Sequence, residues 1–350
     1  MSRNDATLAR AAESEVVAAV RAGDEKAFAG LVERHRRELH VHCYRMLGSL
    51  EDSEDLVQET FLRAWRKRES FQGNSTFRAW LYRIATNACL DALAHRLRDQ
   101  RARGVAPAAD PDAAAPPPPE IAWLQPYPDR LLEPIAPSAA EPDAAVVAKE
   151  TIELAFLVAI QHLSPRQRAV LILRDVLGWP AKETAAALEM SVAAVKSALQ
   201  RARPELKRHL PQRRADWAPS ADPTEEERVL LQRYMDAHER ADATAIAGLL
   251  SEDARVTMPP YPDRYEGREA IATLLAEILD PGSPGYVGHL RTLPTRANLQ
   301  PAAAIYLRDP AGSEYRPMTL DVLRIEDAKV VEITAFASAL FPAFGLPPTL

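Results

Sequence analysis

Eleven of the twenty-nine prolines fall between Val105 and Ala145, including the run Pro116 to Pro119. Proline fixes φ and carries no N–H, so this stretch cannot be a packed helix or a central strand. It therefore divides the 350-residue chain. A second break, Trp217-Ala218-Pro219-Ser220-Ala221-Asp222-Pro223, comes further on. The expected organisation is three folded parts, 14–104, 146–214 and 224–342, with 105–145 as a proline-rich linker. Inside that linker lies an apolar island, Trp123-Leu124-Gln125-Pro126-Tyr127-Pro128. It is either a chance tack onto a neighbouring domain or a segment with a docking role.

The net charge of −6 argues against a nucleic-acid partner only as an average. Residues 61–103 hold ten Lys or Arg against three Asp or Glu, and residues 146–214 hold twelve against six. Residues 220–350 reverse the balance, with twelve basic and twenty acidic. Two basic segments suit a polyanion, and the acidic part has another role. With 26% charged and 47% hydrophobic residues the chain has the balance of a soluble globular protein. No apolar run approaches the roughly eighteen residues of a membrane span, and MSRNDATLARAAESEVV has no signal-type apolar core. The expected location is the cytosol. Cys43 and Cys89 make no disulfide framework. His40, His42 and Cys43 are close in sequence, but adjacent helical positions diverge, so neither a metal nor a cofactor is expected.

Long proline-free stretches rich in Ala, Leu, Arg and Glu predict helices near 24–48, 52–69 and 77–98, forming a bundle. Four shorter helices follow within 146–210, with Ser164-Pro165 and Trp179-Pro180 marking helix starts. After 224, helices near 225–241, 243–250 and 267–279 alternate with strand-like runs such as 254–258 and 329–334. That pattern predicts an α+β domain, helices packed on one curved antiparallel sheet.

In the second predicted helix, Asp52 can act as cap and Val57, Phe61 and Trp65 recur on one face. Asp55, Gln58 and Glu59 remain outside, as an ordinary solvated face or an acidic and amide contact surface. In the third, Phe77, Leu81, Ile84 and Ala88 form a core stripe and leave Trp80, Arg83, Asn87 and Asp91 on another face. Rings beside arginines suit unstacked single-stranded bases, although aromatics at helical spacing also serve as core. Residues Lys182 to Leu188, the turn Glu189-Met190-Ser191 and a helix from Val192 read as a helix-turn-helix with Ser191 as N-cap. Val192, Val195, Leu199, Ala202 and Leu206 form its apolar stripe. Lys196, Ser197, Gln200 and Arg201 face outward on the half that enters a major groove.

The order DLVQETFLRAW, STFRAWLYRIATNACLD and LSPRQRAVLILRDVLGWPAKETAAALEMSVAAVKSALQRAR resembles the extracytoplasmic-function sigma factors over roughly 14–100 and 146–210. The resemblance implies a region 2 domain at 14–104 and a region 4 domain at 146–214, and no enzymatic chemistry in either. It implies that Asp55, Gln58 and Glu59 contact the clamp helices of the largest subunit of core RNA polymerase. It further implies that Asn74, Phe77, Trp80, Arg83 and Asn87 melt and read the minus-ten element of promoter DNA, and that Lys196, Ser197, Gln200 and Arg201 read the upstream element. Two departures stand out. Ala198 occupies a position that is often arginine in the family, and Pro204 is expected to bend or end the recognition helix.

The acidic C-terminal part resembles the cone-shaped fold shared by nuclear transport factor two, ketosteroid isomerase and SnoaL-type cyclases, through Tyr234-Met235-Asp236-Ala237-His238 and Tyr265-Glu266-Gly267-Arg268-Glu269-Ala270-Ile271. That resemblance implies an apolar pocket, with Asp236, His238, His289 and Asp321 as candidate polar groups for a small-molecule ligand. Because these four carry no catalytic spacing, the expected role is regulatory, not enzymatic. The alternatives are a helix-turn-helix regulator that needs no polymerase, and an isomerase or cyclase fused to a DNA-binding module. Sequence does not say whether an anti-sigma partner exists. Finally, Pro126-Tyr127-Pro128-Asp129-Arg130 recurs as Pro260-Tyr261-Pro262-Asp263-Arg264, which raises the idea that both tyrosine-bearing turns compete for one surface.

Overall fold

The structure, a computed structural model, describes residues 15–71, 76–102, 123–132, 152–210, 223–261, 263–310 and 312–350. The chain forms two compact units: Met1–Ala114 with Pro134–Trp217, and Ala115–Glu133 with Ala218–Leu350. The apolar island of the linker thus belongs to the C-terminal unit.

The first unit opens with a helical stretch at 15–21 (α1), followed by α2 (Glu25–Leu47), α3 (Leu50–Arg66) and α4 (Phe77–Ala102). Asp24 caps α2 by accepting the Ala27 N–H, and Gly48 ends it in the left-handed conformation at φ 71°. The cap of α3 is Ser49, not the expected Asp52. Ser49 Oγ accepts the Asp52 N–H at 3.2 Å, so the helix starts two residues early. Asp52 sits instead in the first turn, where its carboxylate complements the helix dipole and meets Arg96. Leu39, Leu47, Val57, Phe61, Leu81, Ala85 and Ala88 fill the core between these helices. His40, His42 and Cys43 diverge as helical geometry requires. His40 lies 3.5 Å from Glu54, His42 shares a hydrogen bond with Thr86 at 2.9 Å, and Cys43 lies buried and reduced beside Cys89.

Four helices follow: α5 (Leu154–Gln161), α6 (Pro165–Leu171), α7 (Ala181–Ala187) and α8 (Val192–His209). Ser164 and Gln167 form a capping box with Pro165 at the first helical position. A single π-helical turn, Ile172–Val176, extends α6. Ser191 caps α8 through the Ala194 N–H, as expected. The helix runs through Pro204 to His209 instead of ending there. Pro204 is exposed, so water can take the carbonyl hydrogen bond that its missing N–H leaves open.

In the second unit α9 (Glu225–Glu239), α10 (Ala243–Leu249) and α11 (Arg268–Leu279) pack on a six-stranded sheet of order β2-β1-β6-β5-β4-β3. The strands are β1 (Leu250–Thr257), β2 (Arg264–Glu266), β3 (His289–Ala297), β4 (Gln300–Arg308), β5 (Arg316–Glu326) and β6 (Lys329–Ala337). The sheet is mixed, not wholly antiparallel, because β1 and β6 pair in parallel. Parallel neighbours need a long connection, and here α11 and four strands supply it. Leu230, Tyr234, Ile246, Leu275, Ile305, Leu323 and Ile333 belong to the core of this domain. Asn298 and Leu299 turn the β3–β4 hairpin with φ 57° and 61°, the left-handed pair that a tight two-residue turn requires.

Candidate nucleic-acid interface and C-terminal site

On α3, burial of Val57 and Phe61 rotates Asp55 and Gln58 into solvent and leaves Glu59 half-buried. Trp65, expected beside them in the core, is half-buried against Phe28 at 5.0 Å between ring centroids. Glu59 accepts from Arg63 Nε at 2.7 Å, and the same guanidinium reaches Asp91 on α4 at 3.3 Å. The ridge also carries Leu62, 51% exposed, which sequence reasoning missed although it lies four residues from Gln58.

Among the expected minus-ten residues, Asn74 lies outside the described residues. Phe77 is a core residue, 3% exposed, with ring centroids 5.7 Å from Phe71 and 5.4 Å from Trp80. Trp80 and Asn87 are half-buried and Arg83 is exposed. Beneath them is a polar network that the sequence did not single out. Glu38 accepts from Arg78 Nε at 2.6 Å and from the Tyr82 hydroxyl at 3.1 Å, with His35 alongside at 2.5 Å. Burial pushes the Glu38 carboxyl up, but His35 and Arg78 together hold it below its ordinary value.

Lys196, Ser197, Gln200 and Arg201 are all exposed on α8, opposite Val195, Leu199 and Ala202. Ala198, only 3% exposed, points into the domain, so the position often held by arginine faces away from the groove-facing set. Arg203 is locked by Asp175 in a two-pronged pair at 2.8 and 2.9 Å.

Of the four pocket candidates in the C-terminal unit, two are buried and touch Tyr234 at different points. Asp321 Oδ2 accepts from the Tyr234 hydroxyl at 2.8 Å, and His238 Nδ1 lies 2.9 Å from the Tyr234 carbonyl. Burial pushes the Asp321 carboxyl up to about 6 against the opposing hydrogen bonds of Tyr234 and Thr319, and burial pulls His238 down to about 4. Asp236 and His289 do not join them: both are exposed, and Asp236 accepts from Gln232.

A second site in this unit holds the linker island. Tyr127, 1% exposed, donates its N–H to Asn298 Oδ1 at 2.7 Å and accepts the Asn298 N–H at 2.9 Å. Pro128 forms an isolated antiparallel bridge with Ala297, Asp129 accepts the Leu299 N–H at 2.9 Å and lies 3.2 Å from Arg296, and Arg130 grips the Ala343 carbonyl. The recurrent sequence around Tyr261 lies between β1 and β2, at the opposite edge of the sheet from this hairpin, and Tyr261 is 61% exposed. Within one folded domain it cannot compete for the Tyr127 site.

A model of sigma-70 region 2 matches residues 31–102, one of sigma-70 region 4 matches 153–206, and one of the SnoaL-like domain matches 231–333. The fold and its outward-facing helices thus define a sigma-70-type pair of domains followed by a SnoaL-like domain. The chain is 46% identical over 325 residues to the ECF RNA polymerase sigma factor SigG of Mycobacterium tuberculosis, covering 92% of this chain and 85% of that one. It is 31% identical over 191 residues to SigW of Bacillus subtilis, covering 55% and 92%. The crystal structure of the extracytoplasmic-function sigma factor SigJ of M. tuberculosis matches with a TM-score of 0.57 at 22% identity, covering 91% of this chain and 99% of that one, and so shares the fold. The chain belongs to the extracytoplasmic-function RNA polymerase sigma factors, which direct transcription by binding core polymerase and promoter DNA.

Proposed function

We propose that this sigma factor docks on the clamp helices of the polymerase largest subunit through Asp55, Gln58 and Glu59. A carboxylate-and-amide ridge on a helix whose other face is packed can meet such a partner without refolding. Trp80, Arg83 and Asn87, with Asn74, take the opened minus-ten strand, and Phe77 backs Trp80 from the core. Lys196, Ser197, Gln200 and Arg201 read the upstream duplex in the major groove. The single observation behind this reading is the outward placement of Asp55 and Gln58 on α3, Arg83 on α4 and Lys196, Ser197, Gln200 and Arg201 on α8, helices whose opposite faces are core. The working division is 14–104 for region 2, 146–214 for region 4 and 224–342 for the SnoaL-like domain. No helix among the described residues is long and apolar enough to cross a membrane, and the protein acts in the cytosol.

The C-terminal domain regulates this activity by holding residues 123–132 of the linker. Supporting this is the reciprocal pairing of Tyr127 with Asn298, which a passive contact would not need. A small molecule reaching Asp321 and His238 could bias that hold. Ligand sensing is favoured over isomerase or cyclase chemistry, because only two of the four candidate groups are buried beside Tyr234. The test is reconstituted transcription with core polymerase. Full-length protein should start RNA at a defined promoter, Asp55→Lys with Glu59→Lys should abolish it, and Asn298→Gly should raise it. No defined start in the presence of the unaltered protein refutes the reading.

A further inference from the structure

Phe77 and Trp80 lie in the first turn of α4. A helix constrains that turn least, because its leading N–H groups have no partner within the helix. Thr76 takes two of them, the Ala79 N–H on Oγ1 and the Trp80 N–H on its carbonyl, both at 3.1 Å. Further anchorage comes from α2. Glu38 Oε2 accepts from Arg78 Nε at 2.6 Å and from the Tyr82 hydroxyl, one turn on, at 3.1 Å. One carboxylate oxygen thus holds two successive turns of α4. Tyr82 is held in its turn by the His42 ring, 4.9 Å away between centroids. The other oxygen, Oε1, lies 2.5 Å from His35 Nδ1. A carboxylate only accepts, so Nδ1 carries the proton. The His35 ring packs 6.2 Å from Phe77, which stands 5.4 Å from Trp80. A continuous line therefore runs from the Glu38 carboxylate through His35 and Phe77 to Trp80.

His35 Nε2 is buried with no hydrogen-bond partner. A phenylalanine ring would fill the same place without leaving a polar atom unpaired, so what the imidazole adds is its directed bond to Glu38. A ring fixed before the base arrives loses less freedom on binding than one that must be ordered by it. We infer that Glu38 and His35 are positioning residues for promoter opening: from α2 they fix the first turn of α4, and with it the Trp80 ring that receives an unstacked minus-ten base. This inference rests on the proposed role of Trp80. Glu38 and His35 act through α4 and need no contact with DNA, and His35 is 3% exposed.

A double-mutant cycle on the full chain tests this. Core polymerase is reconstituted with each variant on one duplex, the promoter that the unaltered holoenzyme transcribes best from a random-sequence library. A fluorescent adenine analogue in its opened stretch reports strand separation. Glu38→Ala should slow opening by about five- to twentyfold, within the coupling that members of one network show, with affinity for core polymerase unchanged. Glu38→Gln keeps an oxygen for Arg78 and should slow opening less. Adding Glu38→Ala to Trp80→Ala should slow opening no further than Trp80→Ala alone, because the ring to be positioned is gone. Equal factors in the two backgrounds overturn the inference. So does a loss matched by weaker binding of core polymerase, which marks a general loosening of the domain. If Glu38→Ala does not fold, the same cycle run with Glu38→Gln decides by the same criteria. If Trp80→Ala opens the promoter at the native rate, the role of Trp80 fails and the inference falls with it. A slow Trp80→Ala beside a native Glu38→Ala sinks the inference alone.

Discussion

Replacing Asp321 by asparagine should expose a pH dependence that the native domain conceals. The folded domain keeps the Asp321 proton up to about 6, whereas the ordinary carboxyl value is 3.8. Between these values the unfolded chain binds fewer protons, so stability falls as pH rises, by about 3 kcal/mol over the window. His238 acts in the opposite sense. Its ordinary value is 6.5 and burial takes it to about 4, so the unfolded chain gains a proton first and stability falls as pH drops through that range. That contribution is also about 3 kcal/mol. The two nearly cancel, and the native domain should be close to flat between pH 4 and 6.5. In Asp321→Asn the amide oxygen can still accept from Tyr234, so the fold is kept. His238 is then uncompensated, and stability should fall by about 3 kcal/mol between pH 6.5 and 4. His238→Gln should show the reverse, gaining stability on acidification. Hydrogen exchange of β4 and β5 amides in the full chain, corrected for intrinsic rates at each pH, reads both slopes. Parallel profiles for the native protein and Asp321→Asn would refute the reasoning.

Three further outcomes follow from the packing. Asn298→Gly keeps the left-handed turn but strips the acceptor from the buried Tyr127 N–H, so linker docking should weaken by about 1–3 kcal/mol, measured as faster proteolysis within 103–151. Lys196→Ala or Arg201→Ala should cost about 1–3 kcal/mol with altered sequence preference if the side chain reads a base, and equal losses on all duplexes would demote it to a phosphate contact. Ala198→Arg should destabilise region 4 instead of strengthening DNA binding, because that position is buried, and thermal unfolding of the full chain with a duplex-binding assay separates the two effects.

The helices were legible because their signals are local. Apolar spacing, Ser164-Pro165 and Ser191 fix their ends with few competitors, and the observed α4 and α8 start where those signals put them. The cap of α3 was misassigned because both Ser49 and Asp52 are good caps, and only the backbone says which is extended. Phe77 illustrates a deeper limit. An aromatic at helical spacing can be platform or core, and here the neighbouring rings of Phe71 and Trp80 enclose it. The parallel pairing of β1 with β6 was invisible because it joins segments about eighty residues apart in a chain whose other strands pair antiparallel. A greater separation, 171 residues, hid Asn298, whose partner Tyr127 lies on the far side of the helix-turn-helix domain in sequence. A lone asparagine in a hairpin turn gives no sign that it also grips a distant backbone.

That grip changes what the stretch between the two helical sigma domains is mechanically. With 123–132 pinned at the β3–β4 tip, the chain from Ala102 to Ile152 is no longer one rope but two, residues 103–122 and 133–151. At about 3.5 Å per residue neither strand can extend beyond about 70 Å. Letting go of the cleat returns residues 123–132 to the span and adds at most about 35 Å of reach, without altering any residue proposed to meet polymerase or DNA.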